Sequence, residues 1–264
     1  MSLLLLILIF AALGGVLSVL AAALLLKLPT AQRAQWLPHG VSFATGALLS
    51  VAFGGLLPHA ATELGIEHFQ WLSATVLLGI LLFFVLEKML LWRHCHAAHC
   101  AAHSGEEDVA HHRVGTLILI GDGIHNFVDG VLIAAAFLTD VRLGMVTSLA
   151  VAAHEIPQEA GDFAILLQSG YSPRTALIYN LIASCTTVVG ALLAYFGFST
   201  VHSILPYVLS LAASSFIYIA VADLIPALHE RIDLKASLEQ IALIVTGGGV
   251  IWMLEAWVDG FIAR

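Results

Sequence analysis

The sequence predicts an all-α fold: a polytopic integral membrane protein with eight transmembrane helices and both termini extracytoplasmic. Composition is the first observation, because 60% of the 264 residues are hydrophobic and 11% are charged, against about 25% charged residues in soluble domains. The second is a series of apolar segments near the ~20 residues that a spanning helix requires. The third is an uneven distribution of basic residues between alternate connections. The connections leave no room for a second domain, so residues 1–264 are expected to form one transmembrane domain.

Turn-forming residues separate the predicted spans. Pro29 follows the first span, and a Gly-Tyr-Ser-Pro stretch ending at Pro173 separates the fifth from the sixth. The first span resembles the core of a signal peptide, but no basic residue precedes it and it exceeds the ~7–15 residues of such a core. We therefore interpret it as a spanning helix. The predicted spans are Leu3–Leu26, Leu37–Leu57, Gln70–Leu91, Val114–Leu138, Leu143–Leu167, Arg174–Phe198, Ser203–Ile225 and Leu238–Ile262.

Basic residues predict the orientation. The odd-numbered connections and the adjoining helix ends carry eight Lys and Arg residues, whereas the opposite side carries only Arg142 and Arg264. Because Lys and Arg accumulate in cytoplasmic loops, the odd connections are predicted to be cytoplasmic and both termini extracytoplasmic. The eight basic residues are Lys27, Arg33, Lys88, Arg93, Arg113, Arg174, Arg231 and Lys235.

Predicted spans four and five carry acids at membrane depth. Each acid costs about 2.5–3.5 kcal/mol at the centre of a bilayer on insertion scales, so four unpaired acids cost roughly 10 kcal/mol. No Lys or Arg lies near them in either span, so the positive charge has to come from protons, water or a bound cation. A cation explains the pattern best; polar residues that tie helices together are the alternative. The acids are Asp129, Glu155, Glu159 and Asp162.

The spacing of these acids and two histidines predicts a metal site. His125 and Asp129 lie four residues apart, on one face of a helix. His154 and Glu155 are neighbours about 100° apart on the next span and can flank a site packed against the first. Imidazole with carboxylate suits borderline divalent ions such as zinc. The pairs His154 with Gln158 and Glu155 with Glu159 are also four residues apart.

Pro157 interrupts the fifth span inside this polar cluster. Because proline has no N–H, the carbonyl of Ala153 loses its helical partner. A kink beside His154 and Glu155 would offer a backbone oxygen and a point of bending, and broken backbone at membrane depth is tolerated where it lines a cavity. The alternative is an ordinary membrane-helix proline.

The polar residues of span four form one motif and those of span five form another. Together these two motifs resemble the signature of the ZIP (Zrt/Irt-like) family of metal transporters, in its LIV-1-like bacterial form. The resemblance covers nearly the whole chain, including eight spans and a long cytoplasmic connection between the third and fourth. Leu57-Pro58 and Ile225-Pro226 are weaker signals of the same family. The motifs are His125-Asn126-x-x-Asp129-Gly130 and His154-Glu155-x-Pro157-x-Glu159-x-Gly161-Asp162-Phe163.

The resemblance implies a binuclear metal centre between spans four and five, transport into the cytoplasm by one helix bundle sliding against another, and a homodimer. This sequence departs from the family pattern at Gln158, where a His or Glu is common, and at Asp129, which is a Glu in several relatives. Both changes bear on the second metal position and on metal preference. The residues on family ligand positions are His125, Asn126, Asp129, His154, Glu155 and Gln158, and Glu159 falls on the acid that follows.

A histidine-rich cytoplasmic loop is predicted at about residues 93–113. It holds six histidines and two cysteines, Cys95 and Cys100, within nineteen residues. Cytoplasmic thiols stay reduced, so metal capture is expected rather than a disulfide, although the spacing fits no zinc-finger pattern. The loop either buffers or senses metal, or it is a polar segment without a specific role whose affinity for metal is incidental.

An intramembrane zinc-dependent hydrolase using His154 and Glu155 is the alternative function, because residues 154–158 nearly match the H-E-x-x-H helix of zinc proteases. That motif needs a second histidine where Gln158 stands, and Pro157 disturbs the same turn. We therefore predict a transporter and no enzyme.

Transported metal and lipid bilayer are the expected partners. The net charge of −8 argues against nucleic acid. Zinc is the first expectation for the cargo, with iron, manganese and cadmium as alternatives, because these ligands bind all four. The bacterial form of the signature predicts the plasma (inner) membrane as the location.

Overall fold

The computed structural model describes residues 2–102, 107–198, 202–229, 231 and 233–262, and every regular element in these ranges is a helix. Two of the helical segments are π-helical and two short ones, Ile66–His68 and His202–Ile204, are 3-10 turns. The α-helices are α1 (Leu3–Gly14), α2 (Val16–Leu25), α3 (Thr30–Ser50), α4 (Leu57–Leu64), α5 (Phe69–Ala102), α6 (Glu107–Thr139), α7 (Val141–Gln168), α8 (Pro173–Phe198), α9 (Leu205–Tyr218), α10 (Ile225–Leu228) and α11 (Leu234–Ile262).

The helices confirm a polytopic membrane protein. Seven helical stretches in the described part of the chain are long and apolar enough to cross a bilayer. The fifth predicted span, α7, is not among them, since its acids make it less apolar, yet its 28 residues reach about 42 Å at 1.5 Å per residue. It packs against α1, α2, α3, α6, α8 and α11. Eight spans and extracytoplasmic termini therefore remain predictions.

The first predicted span is broken rather than continuous. The chain leaves α1 at Gly15, with φ −88° and ψ −80°, and re-enters a helix at Val16. A β-carbon at Gly15 would lie 2.6 Å from Thr187 Oγ1 and 2.7 Å from the Ser184 carbonyl oxygen. The break occurs where the backbone passes directly against α8, and only glycine allows that approach.

Two prolines explain the π-helical segments Val51–Leu56 and Ile219–Leu224. Pro58 and Pro226 follow these segments and cannot donate a backbone hydrogen bond to the residue four positions back. The preceding residue bonds five positions back instead: Leu57 N–H to the Ala52 carbonyl, and Ile225 N–H to the Ala220 carbonyl. Helix α3 therefore continues into α4 as one helical stretch, and α9 continues into α10 in the same way.

Glycine contacts join the helices in two tight pairs. A β-carbon at Gly130 of α6 would lie 1.9 Å from the Thr187 carbonyl oxygen, and one at Gly190 of α8 would lie 2.1 Å from that of Phe127. Such distances mean that the two backbones touch, as small residues allow in membrane helices. The same contacts join α3 to α11 at Gly46 and Gly247.

Gly190→Ala is expected to destabilise the protein by about 1–3 kcal/mol, the usual cost of overpacking, because its methyl group meets backbone rather than a flexible side chain. Thermal melting of the detergent-solubilised protein measures the effect. Gly197→Ala in the same helix is the matched control, since its β-carbon finds nothing within 4 Å and should leave the melting temperature unchanged or raised. Equal melting temperatures for both variants would contradict the close packing.

Helices extend into the segment predicted as the histidine-rich loop. The backbone of α5 continues to Ala102 and that of α6 begins at Glu107. Residues 103–106 and the side chains of residues 90–114 lie outside the described residues. Metal capture by these histidines and cysteines remains a prediction.

Candidate metal centre

Two neighbouring helices bring four predicted ligands together. His125 and Asp129 lie one turn apart on α6, and His154 and Glu155 follow each other on α7. One ligand atom from each of the four lies within 4.8 Å of every other. The i, i+4 spacing on α6 and the packing of α7 against it account for this meeting.

The separations between these ligand atoms fit a tetrahedral ion. His125 Nε2 is 3.3 Å from His154 Nε2, 3.2 Å from Glu155 Oε1 and 3.7 Å from Asp129 Oδ2. His154 Nε2 is 3.3 Å from Asp129 Oδ2 and 3.6 Å from Glu155 Oε1. Four ligands at the 2.0–2.2 Å typical of zinc, arranged as a tetrahedron, lie about 3.3–3.6 Å apart. Five of the six separations among the four ligand atoms are therefore close to those of a tetrahedral zinc site.

Burial and hydrogen bonding prepare the same atoms for a cation. Asp129, His154 and Glu155 are at most 1% exposed, and neither carboxylate has a hydrogen bond to either oxygen. His154 Nδ1 lies 3.2 Å from the Ala150 carbonyl oxygen, a contact that assigns the proton to Nδ1 and leaves the Nε2 lone pair free. Buried carboxylates without hydrogen bonds are costly, and a bound cation removes that cost.

A second group of acids lies beside the first. Asp122, Glu155 and Glu159 also bring one oxygen each within 4.8 Å of one another, so Glu155 belongs to both groups. Ser184 Oγ donates to Glu159 Oε1 at 2.6 Å, while Glu159 Oε2 and Asp122 Oδ2 are buried without a hydrogen bond. The geometry offers a second cation position made only of carboxylates.

Asp122 was not among the sequence-predicted ligands. The signal that could have found it is its spacing: it precedes Asn126 by four residues and Asp129 by seven, which places all three on one face of α6.

Asn126 and Gln158 carry neutral amides and have other surroundings in the structure. Asn126 Nδ2 donates to Asp122 Oδ1 at 2.8 Å, and Asn126 Oδ1 accepts from Thr187 Oγ1 at 2.8 Å. Its amide thus links Asp122 to α8. Gln158 lines the cavity beside the centre. Their direct ligation of metal remains a prediction.

A cavity of about 470 Å³ opens from the centre. Asp122 and His125 line it, and so do Glu87 of α5 and Asp223 of the second π-helical segment. Tyr218 also lines it and donates a hydrogen bond from its hydroxyl to Glu87. Glu87 and Asp223, which lie far from both metal motifs in the sequence, thus border one cavity with the metal centre.

Comparison with known proteins identifies the family. Residues 92–255 match the sequence profile described as "ZIP Zinc transporter". The chain belongs to the ZIP family. Both motif regions lie inside the matched residues, and membership places the chain among transporters rather than enzymes, as the sequence predicted.

Curated relatives of this ZIP protein are named zinc transporters. Zinc transporter ZIP13 of Pongo abelii is 34% identical over 235 residues, which cover 83% of this chain and 67% of that protein. ZIP13 of Homo sapiens is 32% identical over 266 residues, with 83% and 71% covered. ZIP10 of Danio rerio is 31% identical over 156 residues, with 56% and 18% covered. The chain thus spans about two thirds of ZIP13 but about a fifth of ZIP10. These relatives are animal proteins and give no support to the predicted bacterial membrane.

Proposed function

We propose that this protein carries divalent transition metal ions, zinc foremost, across the membrane and into the cytoplasm through the centre between α6 and α7. One observation carries the proposal: four ligand atoms from His125, Asp129, His154 and Glu155 lie within 4.8 Å of one another in a buried site. The names of the ZIP13 and ZIP10 relatives support zinc as the cargo.

The ligand chemistry suits a passing ion. Carboxylates and imidazoles hold zinc less tightly than a set of thiolates does, and the described cysteine Cys185 is not part of the centre. Two adjacent positions that share Glu155 allow an ion to exchange one ligand at a time. We assign His125, Asp129, His154 and Glu155 to the first position and Asp122, Glu155 and Glu159 to the second, with Asn126 and Gln158 as neutral groups beside them.

The cavity gives the ion a route away from the centre. It leads from Asp122 and His125 to Glu87 and Asp223, whose carboxylates attract a cation. Glu87 is followed directly by Lys88, one of the basic residues that predict the cytoplasmic side. Release into the cytoplasm is therefore the expected direction.

The tight helix pairs suggest how the ion crosses. In the first pair, α6 carries His125 and Asp129 and α8 carries Ser184. The second pair, α3 and α11, carries none of the ligands. We infer that each pair moves as a unit, with the centre travelling on the unit that contains α6 and α8. A homodimer, implied by the family resemblance, is compatible with this scheme.

Zinc entry into sealed proteoliposomes tests the function. With a zinc-sensitive dye inside, the full chain is expected to give sustained, gradient-dependent filling, whereas vesicles without protein stay dark. The same preparations are incubated with peptide and lipid substrates, for which no cleavage is expected. Cleavage without metal entry under any gradient would overturn the transporter and favour the hydrolase that His154 and Glu155 first suggested.

A further inference from the structure

A groove of about 1080 Å³ lies between α6 and α8. It is lined by a stripe of α6 that includes Thr116, Ile120 and Phe127 and differs from the face that carries the metal ligands. Opposite this stripe, Tyr179 and Ile182 of α8 form the second wall. The groove takes no part in the transport path described above.

The groove has an apolar length and a polar end. Ile120 and Ile182 are 50% and 60% exposed within the chain, so these walls face the membrane. At the end next to the α7–α8 connection, the lining changes to Tyr171, Ser172 and Thr175. The hydroxyls of Ser172 and Thr175 lie 2.8 Å apart, and that of Tyr171 lies 3.2 Å from Thr116 Oγ1.

The length of the groove matches one leaflet of a bilayer. From Thr116 to Phe127 the stripe covers twelve residues of helix, and the eleven steps between them span about 17 Å at 1.5 Å per residue. Half of the ~30 Å hydrocarbon core is about 15 Å. The groove is therefore long enough to reach from a membrane surface to about the midplane, the depth that one acyl chain occupies.

A basic residue in the turn that adjoins the polar end selects the headgroup. Exposed Arg174 lies in the first turn of α8, between Ser172 and Thr175 in the sequence. No Asp or Glu occurs between Asp162 and Asp223, so its own segment does not neutralise this arginine. An arginine at a membrane surface attracts anionic lipid headgroups, and its guanidinium pairs well with phosphate.

We propose that the groove is a binding site for one anionic phospholipid, with its phosphate at Arg174 and an acyl chain along the wall formed by Ile120 and Ile182. The bound lipid contacts the metal centre indirectly. Ile124 lines both this groove and the cavity at the centre, so the acyl chain packs against a residue that walls the metal's route.

Native mass spectrometry of the full chain in detergent tests the site, with phosphatidylglycerol and phosphatidylcholine of identical acyl chains as probes. Wild type is expected to retain one phosphatidylglycerol and to bind it more tightly than phosphatidylcholine. Arg174→Gln should weaken the binding of phosphatidylglycerol about five-fold, the effect of one basic residue near a membrane surface. Ile182→Trp should remove the bound lipid by filling the groove.

Matched controls separate this site from general lipid adhesion. Ile178→Trp lies one turn away on α8, is exposed and does not line the groove, and Lys27→Gln removes another exposed basic residue; both should bind as wild type does. Gly123→Leu fills the groove from α6, where a β-carbon meets nothing closer than 3.9 Å, and should repeat the Ile182→Trp result. Equal retention of both lipids by all variants would overturn the proposal. A wild-type dimer that Ile182→Trp makes monomeric, without a lipid adduct, would overturn it in favour of a second copy of the chain.

Discussion

Replacing His154 with alanine is expected to abolish zinc uptake into proteoliposomes. The imidazole is 1% exposed and its Nε2 lies 3.3 Å from both His125 Nε2 and Asp129 Oδ2. Changes in the residues that merely orient a ligand cost about 10–100-fold in metal affinity, so loss of the ligand itself should exceed that range. Uptake of the variant should fall to the level of empty vesicles.

An isosteric variant distinguishes lost ligation from lost folding. His154→Ala also leaves a cavity beside Phe216, whose ring centroid lies 6.3 Å from that of the histidine, and a cavity alone destabilises a protein. Glu155→Gln keeps the shape of its side chain and removes only the charge, so it should melt like wild type and still fail to transport. His68→Ala, an exposed histidine outside the centre, should transport normally. Normal uptake by a folded Glu155→Gln variant would remove this centre from the transport path.

Asp122→Asn is expected to reduce bound zinc from two ions to one per chain and to lower uptake about ten-fold. The carboxylate offers Oδ2, which has no hydrogen bond, to the group formed with Glu155 and Glu159. An amide oxygen there is neutral, and hard or borderline cations bind carboxylates more strongly. The first position keeps all four of its ligands, so one ion should remain.

Equilibrium dialysis followed by elemental analysis measures the number of ions, alongside the vesicle assay. Glu63→Gln, which removes an exposed acid far from the centre in sequence, should bind and transport as wild type does. Two ions of unchanged affinity in Asp122→Asn would show that the second acid group does not hold metal. Retention of one ion with full uptake would limit transport to the first position.

Sequence patterning predicted the helices well, because burying apolar side chains in lipid requires long, nearly uninterrupted apolar runs. Span six, predicted at Arg174–Phe198, is α8 at Pro173–Phe198. The errors lie where backbone contacts between helices decide. Gly15 breaks the first span because α8 passes against it. Local helix propensity does not predict that contact. A separate difference is that the α5 helix extends well beyond its predicted end at Leu91.

Four of the predicted ligands meet as expected, because the i, i+4 rule on a helix is local and the two motifs lie on neighbouring helices. His125 and Asp129 illustrate the local part. Asp122 shows its limit: its role depends on Glu159 of another helix and on Asn126, whose amide is in turn held by Thr187. Such a chain of contacts across α6, α7 and α8 cannot be read from spacing within one segment.

By itself the sequence determined the helical class and the lipid environment of this protein and predicted its metal site, since each follows from local composition and spacing. Apolar runs require lipid, and a cation is the best explanation of four uncompensated acids in two adjacent spans. The tertiary structure alone decided that the ligands form two groups sharing Glu155, that Glu87 and Asp223 border the same cavity, and that an apolar groove lies behind Ile124. Those features depend on the distance between packed helices and on the rotation of each helix about its axis. Contacts such as that of Gly130 with Thr187 set both quantities, and they form only in the folded protein.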